Sequence, residues 1–114
     1  MRLEAQKYLF DIQQAANRIA RFCEGKNFAD YRSDELLRSA VERQFEIMGE
    51  ALSQLAKHDP KLAERIKDHR KIIAFRNILI HAYATVDDRI VWGVVEGDLP
   101  ALRASLKQLL PDAG

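Results

Sequence analysis

The sequence predicts an all-α protein, an antiparallel bundle of about five helices. Three observations carry that expectation. Apolar residues recur at three- and four-residue spacing along most of the chain, no stretch alternates with the two-residue period of a strand, and the five glycines and three prolines fall mostly at the boundaries of the periodic segments. Long helices joined by short connections pack antiparallel. With 114 residues the chain has the length of one domain, read here as a single unit over 1–114.

The first helix is expected over about residues 3–24, where Leu9, Ile12, Ala16, Ile19 and Cys23 form one stripe and Gly25 stands at the C-terminal cap. The segment GKNFADYRS then reads as a loop anchored to the core by Phe28 and Tyr31. Ser33 or Asp34 can cap a second long helix with the stripe Leu37, Val41, Phe45, Met48, Leu52 and Leu55, ending near His58 before Pro60. Gly49 lies inside it, where it costs about 1 kcal/mol relative to alanine. Close packing of another helix at that point explains the glycine. Pro60 suits the first turn of a short helix, PKLAERI. A fourth helix is expected at 69–84 and a fifth from Val86–Asp88 to Gly97, with a fresh start at Asp98 and Pro100 leading to Leu102, Leu106, Leu109 and Leu110.

Composition bounds the function. Hydrophobic residues make up 47% and charged residues 31%, so the chain can build an ordinary core and is not a disordered one. Eighteen basic and seventeen acidic residues leave a formal charge of +1, so only a local cluster can favour nucleic acid. Cys23 is the single cysteine, which excludes an internal disulfide and a cysteine-based zinc site and fits a reducing compartment. The start MRLEAQKYLFDIQQ is charged and amphipathic, unlike a signal peptide, and no apolar run is long enough to span a membrane. A cytoplasmic protein without membrane partners is the expectation.

The helix KIIAFRNILIHAYATVDD is unlike its neighbours. At 100° per residue, Phe75, Leu79, Ile72, Tyr83, Ile80 and Ile73 share a broad apolar arc. Arg76 falls inside that arc, about 20° from Tyr83. Asn77, His81, Ala74, Ala84 and Arg70 share the opposite strip. A helix apolar over most of its circumference is expected to lie centrally, where its polar groups must be paired or line a cavity. Arg76 and His81 are about 140° apart, so a homodimer setting two such helices side by side would converge them better than one chain can. Upstream, Arg65, Lys67, Arg70, Lys71 and Arg76 face only Asp68, a basic patch able to attract a phosphate backbone or simply a solvated helix face.

These residues resemble a known family. Arg76-Asn77-Ile78-Leu79-Ile80-His81-Ala82-Tyr83 matches the Arg-x-x-x-x-His-x-Tyr signature of HEPN-domain proteins of the HepT-like group. The IVW around Trp92, the EIMGEAL around Gly49 and the closing DLPALR look like the same group, so the resemblance runs in order over nearly the whole chain. It implies the toxin of a type II/VII-like toxin–antitoxin pair, a metal-independent endoribonuclease acting as a homodimer with its cleft at the interface. It implies as partner a nucleotidyltransferase antitoxin that adenylylates the motif tyrosine. On that resemblance Arg76 and His81 are catalytic, Asn77 supports them, Tyr83 is the modification site, and neither a metal nor another cofactor is needed; from the local charge, Arg70, Lys71 and Lys67 are the expected RNA-binding patch.

The residue types suit the chemistry. RNA carries its own nucleophile, the 2′-hydroxyl, so proton transfer and charge stabilisation are what a ribonuclease must supply. Histidine titrates near neutrality and serves as general base or acid. Arginine stays charged and holds a phosphate in fork geometry. The other readings are a hydrogen-bonded core or helix-end role for His81, an ion pair of Arg76 with Glu46 or Glu50, and plain packing for Tyr83. Under those readings the chain is a non-catalytic subunit that binds a nucleotide or docks a nucleotidyltransferase, or a purely structural helical dimer. For a metal, His58, His69 and His81 lack bundle-type ligand spacing, and Glu42, Glu46 and Glu50 line up beside Arg38 and Arg43 as a salt-laced face.

Overall fold

The structure, a computed structural model, describes residues 2–82 and 85–110. The described residues are helical, with no strand among them: α1 (Leu3–Cys23), α2 (Phe28–Ser33), α3 (Glu35–His58), α4 (Pro60–Ala63), α5 (His69–His81), α6 (Asp88–Gly93), a π-helical turn (Val94–Asp98) and α7 (Leu99–Leu109).

The two long helices form the centre. The predicted stripes of α1 and α3 are the buried ones: Leu9, Ile12, Ala16 and Ile19 on one, Val41, Phe45, Met48, Leu52 and Leu55 on the other, each with no exposed surface. They run antiparallel, since His58 at the end of α3 stacks on Tyr8 near the start of α1, ring centroids 5.7 Å apart, and lies 3.9 Å from Glu4. Asp34 caps α3 by accepting from the Leu37 N–H at 3.1 Å, and Gly25 follows α1 with φ +73°. Burial of Cys23 between these elements pushes its thiol up to about 11. No helix among the described residues is long and apolar enough to cross a membrane.

Four expectations change. The segment read as a loop contains α2, which a capping box starts: Asn27 Oδ1 accepts from the Asp30 N–H and Asp30 Oδ2 from the Asn27 N–H, both at 2.9 Å. Its Tyr31 is fully buried and meets Trp92 at 5.4 Å, so the anchoring role of the aromatics stands. The short helix at Pro60 ends at Ala63 rather than running through PKLAERI, a single turn capped by Asp59, which accepts from the Leu62 N–H at 3.1 Å. The fresh start at Asp98 is instead a widened turn inside one continuous helical rod. Leu99 N–H donates to the Val94 carbonyl five residues back, and the turn lies where Pro100 would clash with the carbonyl four residues before it in a regular helix.

The last difference matters most. α5 does not lie centrally but flanks the bundle along α3, with Ile72, Phe75 and Leu79 buried. Ala74, Asn77, Ile78 and His81 face outward, and Ile78 is 52% exposed. A helical wheel tells which residues share a face; it does not tell how many neighbours one chain supplies. α5 ends at His81, short of the expected 84: Ala82 is its C-cap with φ −125°, off the helical backbone, and 83–84 lie outside the described residues.

Phe75 of α5 meets Phe45 of α3 edge to face, ring centroids 5.2 Å apart. Phe75→Ala is expected to lower unfolding stability by about 3–5 kcal/mol, the range for emptying a buried aromatic site. Urea denaturation followed by circular dichroism measures it, and a change under about 1 kcal/mol would mean that α5 is not held through this contact.

Candidate functional site

The site starts from a close approach. A methyl group built on Gly49 would overlap the Arg76 Cβ, lie 2.7 Å from its Cγ and 3.4 Å from the Ile72 carbonyl oxygen. Gly49 therefore lets the backbone of α5 cross α3 at Arg76, as the sequence led us to expect of a glycine inside a helix. The stem of the arginine rests where a side chain on α3 would otherwise stand.

The guanidinium is held at both ends. Nη2 donates to Glu50 Oε2 at 2.5 Å, and Nη1 donates to Asn77 Oδ1 at 2.8 Å. Glu50 Oε1 accepts in turn from Gln54 Nε2 at 3.1 Å, one helical turn further along α3. The Arg76 side chain is 25% exposed and that of Glu50 49%, so the pair is partly withdrawn from water without being sealed from it. Of the two partners considered for Arg76, the structure selects Glu50; Glu46 pairs instead with Arg43 at 3.4 Å. Arg76 lines a groove of about 330 Å³ between α1, α3 and α5, with Tyr8, Ile47, Glu50, Gln54 and Ile80 among its walls.

Asn77 and His81 occupy the outer strip of α5 together with Ala74 and Arg70, all exposed. His81 is the last residue of the helix, and its ring makes no hydrogen bond to another described residue. It is not among the residues lining the groove. The structure thus gathers Arg76, Asn77 and Glu50, while His81 lies one turn beyond Asn77 on the outer strip and away from the groove wall. Tyr83 lies outside the described residues, as does Ala84, so the expected small-residue flank of the strip is described only at Ala74.

Besides Arg76, ion pairs engage two further members of the basic patch. Arg70 Nη2 is 2.7 Å from Glu64 Oε1, and Lys71 Nζ is 2.9 Å from Asp98 Oδ2 in the π-helical turn. The hydrogen bond to Asp98 raises the Lys71 pKa above the usual lysine value. Lys67 is exposed and has no carboxylate partner among the described residues; its backbone N–H donates to Ser105 Oγ at 3.1 Å. Among the described residues no three His, Cys, Asp or Glu side chains group as metal ligands would. Tyr8 and Gln54 were not anticipated at the site. No local signal marks Tyr8, whereas Gln54 is readable as the i+4 neighbour of Glu50.

Comparison with known proteins identifies close kin. The family model described as ribonuclease HepT-like matches residues 12–109. A Thermococcus cleftensis protein named "Probable ribonuclease HepT" is 34% identical over 109 residues, which is 96% of this chain and 98% of that one. Proteins of Caldanaerobacter subterraneus and Methanocaldococcus jannaschii, each named "Putative RNase", are 31% and 28% identical, covering 90% and 91% of this chain and 91% and 94% of their own. No solved structure matches the chain.

The Gly49 crossing gives a direct expectation. Gly49→Ala gains about 1 kcal/mol of helix propensity but forces α5 away from α3, an overpacking cost of about 1–3 kcal/mol. The neighbour is a Cβ close to the backbone, which cannot swing aside, so net destabilisation is expected in urea titrations. A variant at least as stable as the wild type would contradict the close crossing.

Proposed function

Because the chain belongs to the ribonuclease HepT-like family, we propose that it is a metal-independent endoribonuclease, one domain per chain, working as a homodimer with Arg76 and His81 at the interface. The observation that carries this reading is the layout of α5. Arg76 is held by Glu50 and Asn77, His81 stands exposed on the outer strip with no hydrogen bond to another described residue, and Ile78 and Ile80 are left exposed between and beside them. One helix converges the two side chains poorly, whereas a second copy laid against the uncovered side would bury the isoleucines and supply a second arginine and histidine.

In that cleft the RNA 2′-hydroxyl attacks the adjacent phosphorus while His81 of one protomer takes its proton. The bond from phosphorus to the 5′ oxygen breaks, and the imidazolium of the partner's His81 returns a proton to that oxygen. The products are a 2′,3′-cyclic phosphate and a 5′-hydroxyl. Arg76 holds the phosphate oxygens as charge builds on them, and Asn77 keeps the guanidinium oriented through its carbonyl. Lys67, with Arg70 and Lys71 where their carboxylate partners yield, attracts the flanking backbone.

The same reading makes the chain the toxin of a type II/VII-like toxin–antitoxin pair. Its antitoxin, a nucleotidyltransferase, would move the adenylyl group of ATP to the Tyr83 oxygen and release pyrophosphate. The added anion would compete with RNA for the positive charge near the motif. The ion pair of Arg76 with Glu50 supports a second reading, a non-catalytic subunit that binds a nucleotide or docks the nucleotidyltransferase, with Arg76 in a purely structural role.

Cleavage of single-stranded RNA in excess EDTA separates the two. The wild type is expected to cut and to leave cyclic phosphate ends, while folded His81→Ala and Arg76→Ala lose at least about 100-fold, the scale of one general acid–base or electrostatic contribution. Equal activity in all three proteins, or ends carrying a 3′-hydroxyl, would remove the ribonuclease mechanism. Co-expression with the nucleotidyltransferase is expected to raise the intact mass by one adenylyl group in the wild type and not in Tyr83→Phe.

A further inference from the structure

We propose that Glu50 is the positioning residue of the Arg76 site, and that Gly49-Glu50 on α3 is a two-residue cradle for it. The proposal rests on the ribonuclease reading for its catalytic consequence and on geometry for the rest. Gly49 admits the stem of Arg76 against α3, and the next residue receives its head. The carboxylate is not a loose surface group, because Gln54 holds its second oxygen. A chain of hydrogen bonds therefore runs from Gln54 to Glu50 to Arg76 to Asn77 and fixes the plane of the guanidinium.

Charge accounting favours holding over masking. A guanidinium has five N–H donors, of which Glu50 and Asn77 take one each. Three remain for a phosphate, and Arg76 lines an open groove from which one can be reached. An arginine with a free head loses rotamer freedom each time it binds, whereas this one has lost it on folding. Glu50 acts through Arg76 and need not touch RNA.

The experiment compares wild type, Glu50→Ala, Glu50→Gln, Arg76→Ala and the Glu50→Ala/Arg76→Ala double variant, each confirmed folded by thermal unfolding. Two readouts are taken: steady-state cleavage of a single-stranded RNA oligonucleotide, and nitrogen-15 NMR of the Arg76 side chain. Glu50→Ala is expected to lower kcat/KM by about 10- to 100-fold, mostly in kcat, as for a catalytic group displaced by about 1 Å. Glu50→Gln keeps a neutral acceptor, roughly half as strong as an ionised one, and is expected to recover most of that loss. In the Arg76→Ala background, Glu50→Ala should subtract nothing more. The Arg76 signal should pass from restrained to freely rotating in Glu50→Ala.

An equal loss in both backgrounds, or activity unchanged or raised in Glu50→Ala, would overturn the proposal. So would an Arg76 signal indifferent to Glu50, whatever the cleavage result. A wild type that cleaves no RNA while its Arg76 signal responds to Glu50 would overturn the ribonuclease reading and leave the cradle standing.

Discussion

The crossing of α5 over α3 at Gly49 is the constraint on which the rest of the site depends. It brings two helix backbones close enough that only a hydrogen can stand between Gly49 and the Arg76 stem. That closeness draws Phe75 onto Phe45, sets Ile72 and Leu79 into the core, and leaves the arginine head beside the residue that follows the glycine. The charge of Arg76 then needs a counterpart because three-quarters of its side chain is withdrawn from water, and Glu50 is the counterpart within reach. Packing decides the address and electrostatics decides the pose.

The same crossing explains why α5 has two unlike sides. A helix pressed this tightly on one neighbour buries a narrow stripe. Its inner side is occupied by α3; its outer side carries Ala74, Asn77, Ile78 and His81 into solvent. Apolar and catalytic-type residues share that outer strip, so covering the isoleucines and completing a reactive site become one event in the proposed dimer.

Much of this was legible in the sequence. The stripes of α1 and α3 follow directly from helical periodicity, and Gly49 inside α3 pointed to a close contact because no cap or turn could account for it. Arg76 inside an apolar arc called for a partner or a cavity, and an ion pair with Glu46 or Glu50 was the alternative to its catalytic reading. What escaped depends on distance along the chain or on the number of neighbours. The six-residue α2 is too short and polar to show a stripe, although its Asn-x-x-Asp start is a capping pattern. The pairing of Lys71 with Asp98 joins positions 27 apart, and that of Arg70 with Glu64 bends back across a turn, so the basic count overstated the free charge. The flanking position of α5 is a tertiary fact that no wheel contains.

The π-helical turn at Val94–Asp98 carries a consequence of a different kind. From Asp88 to Leu109 the backbone forms one rod whose winding slips by a single residue between its two halves. Every side chain of α7 owes its bearing to that slip, including Leu102 and Leu106 in the core and Ser105 at the Lys67 N–H. Exchanging residues within 94–98 leaves the phase intact, whereas regular winding at the same length would turn α7 by about 100° relative to α6. The wide turn thus lets the rod hold one residue more than regular winding would allow and still set Leu102 and Leu106 into the core.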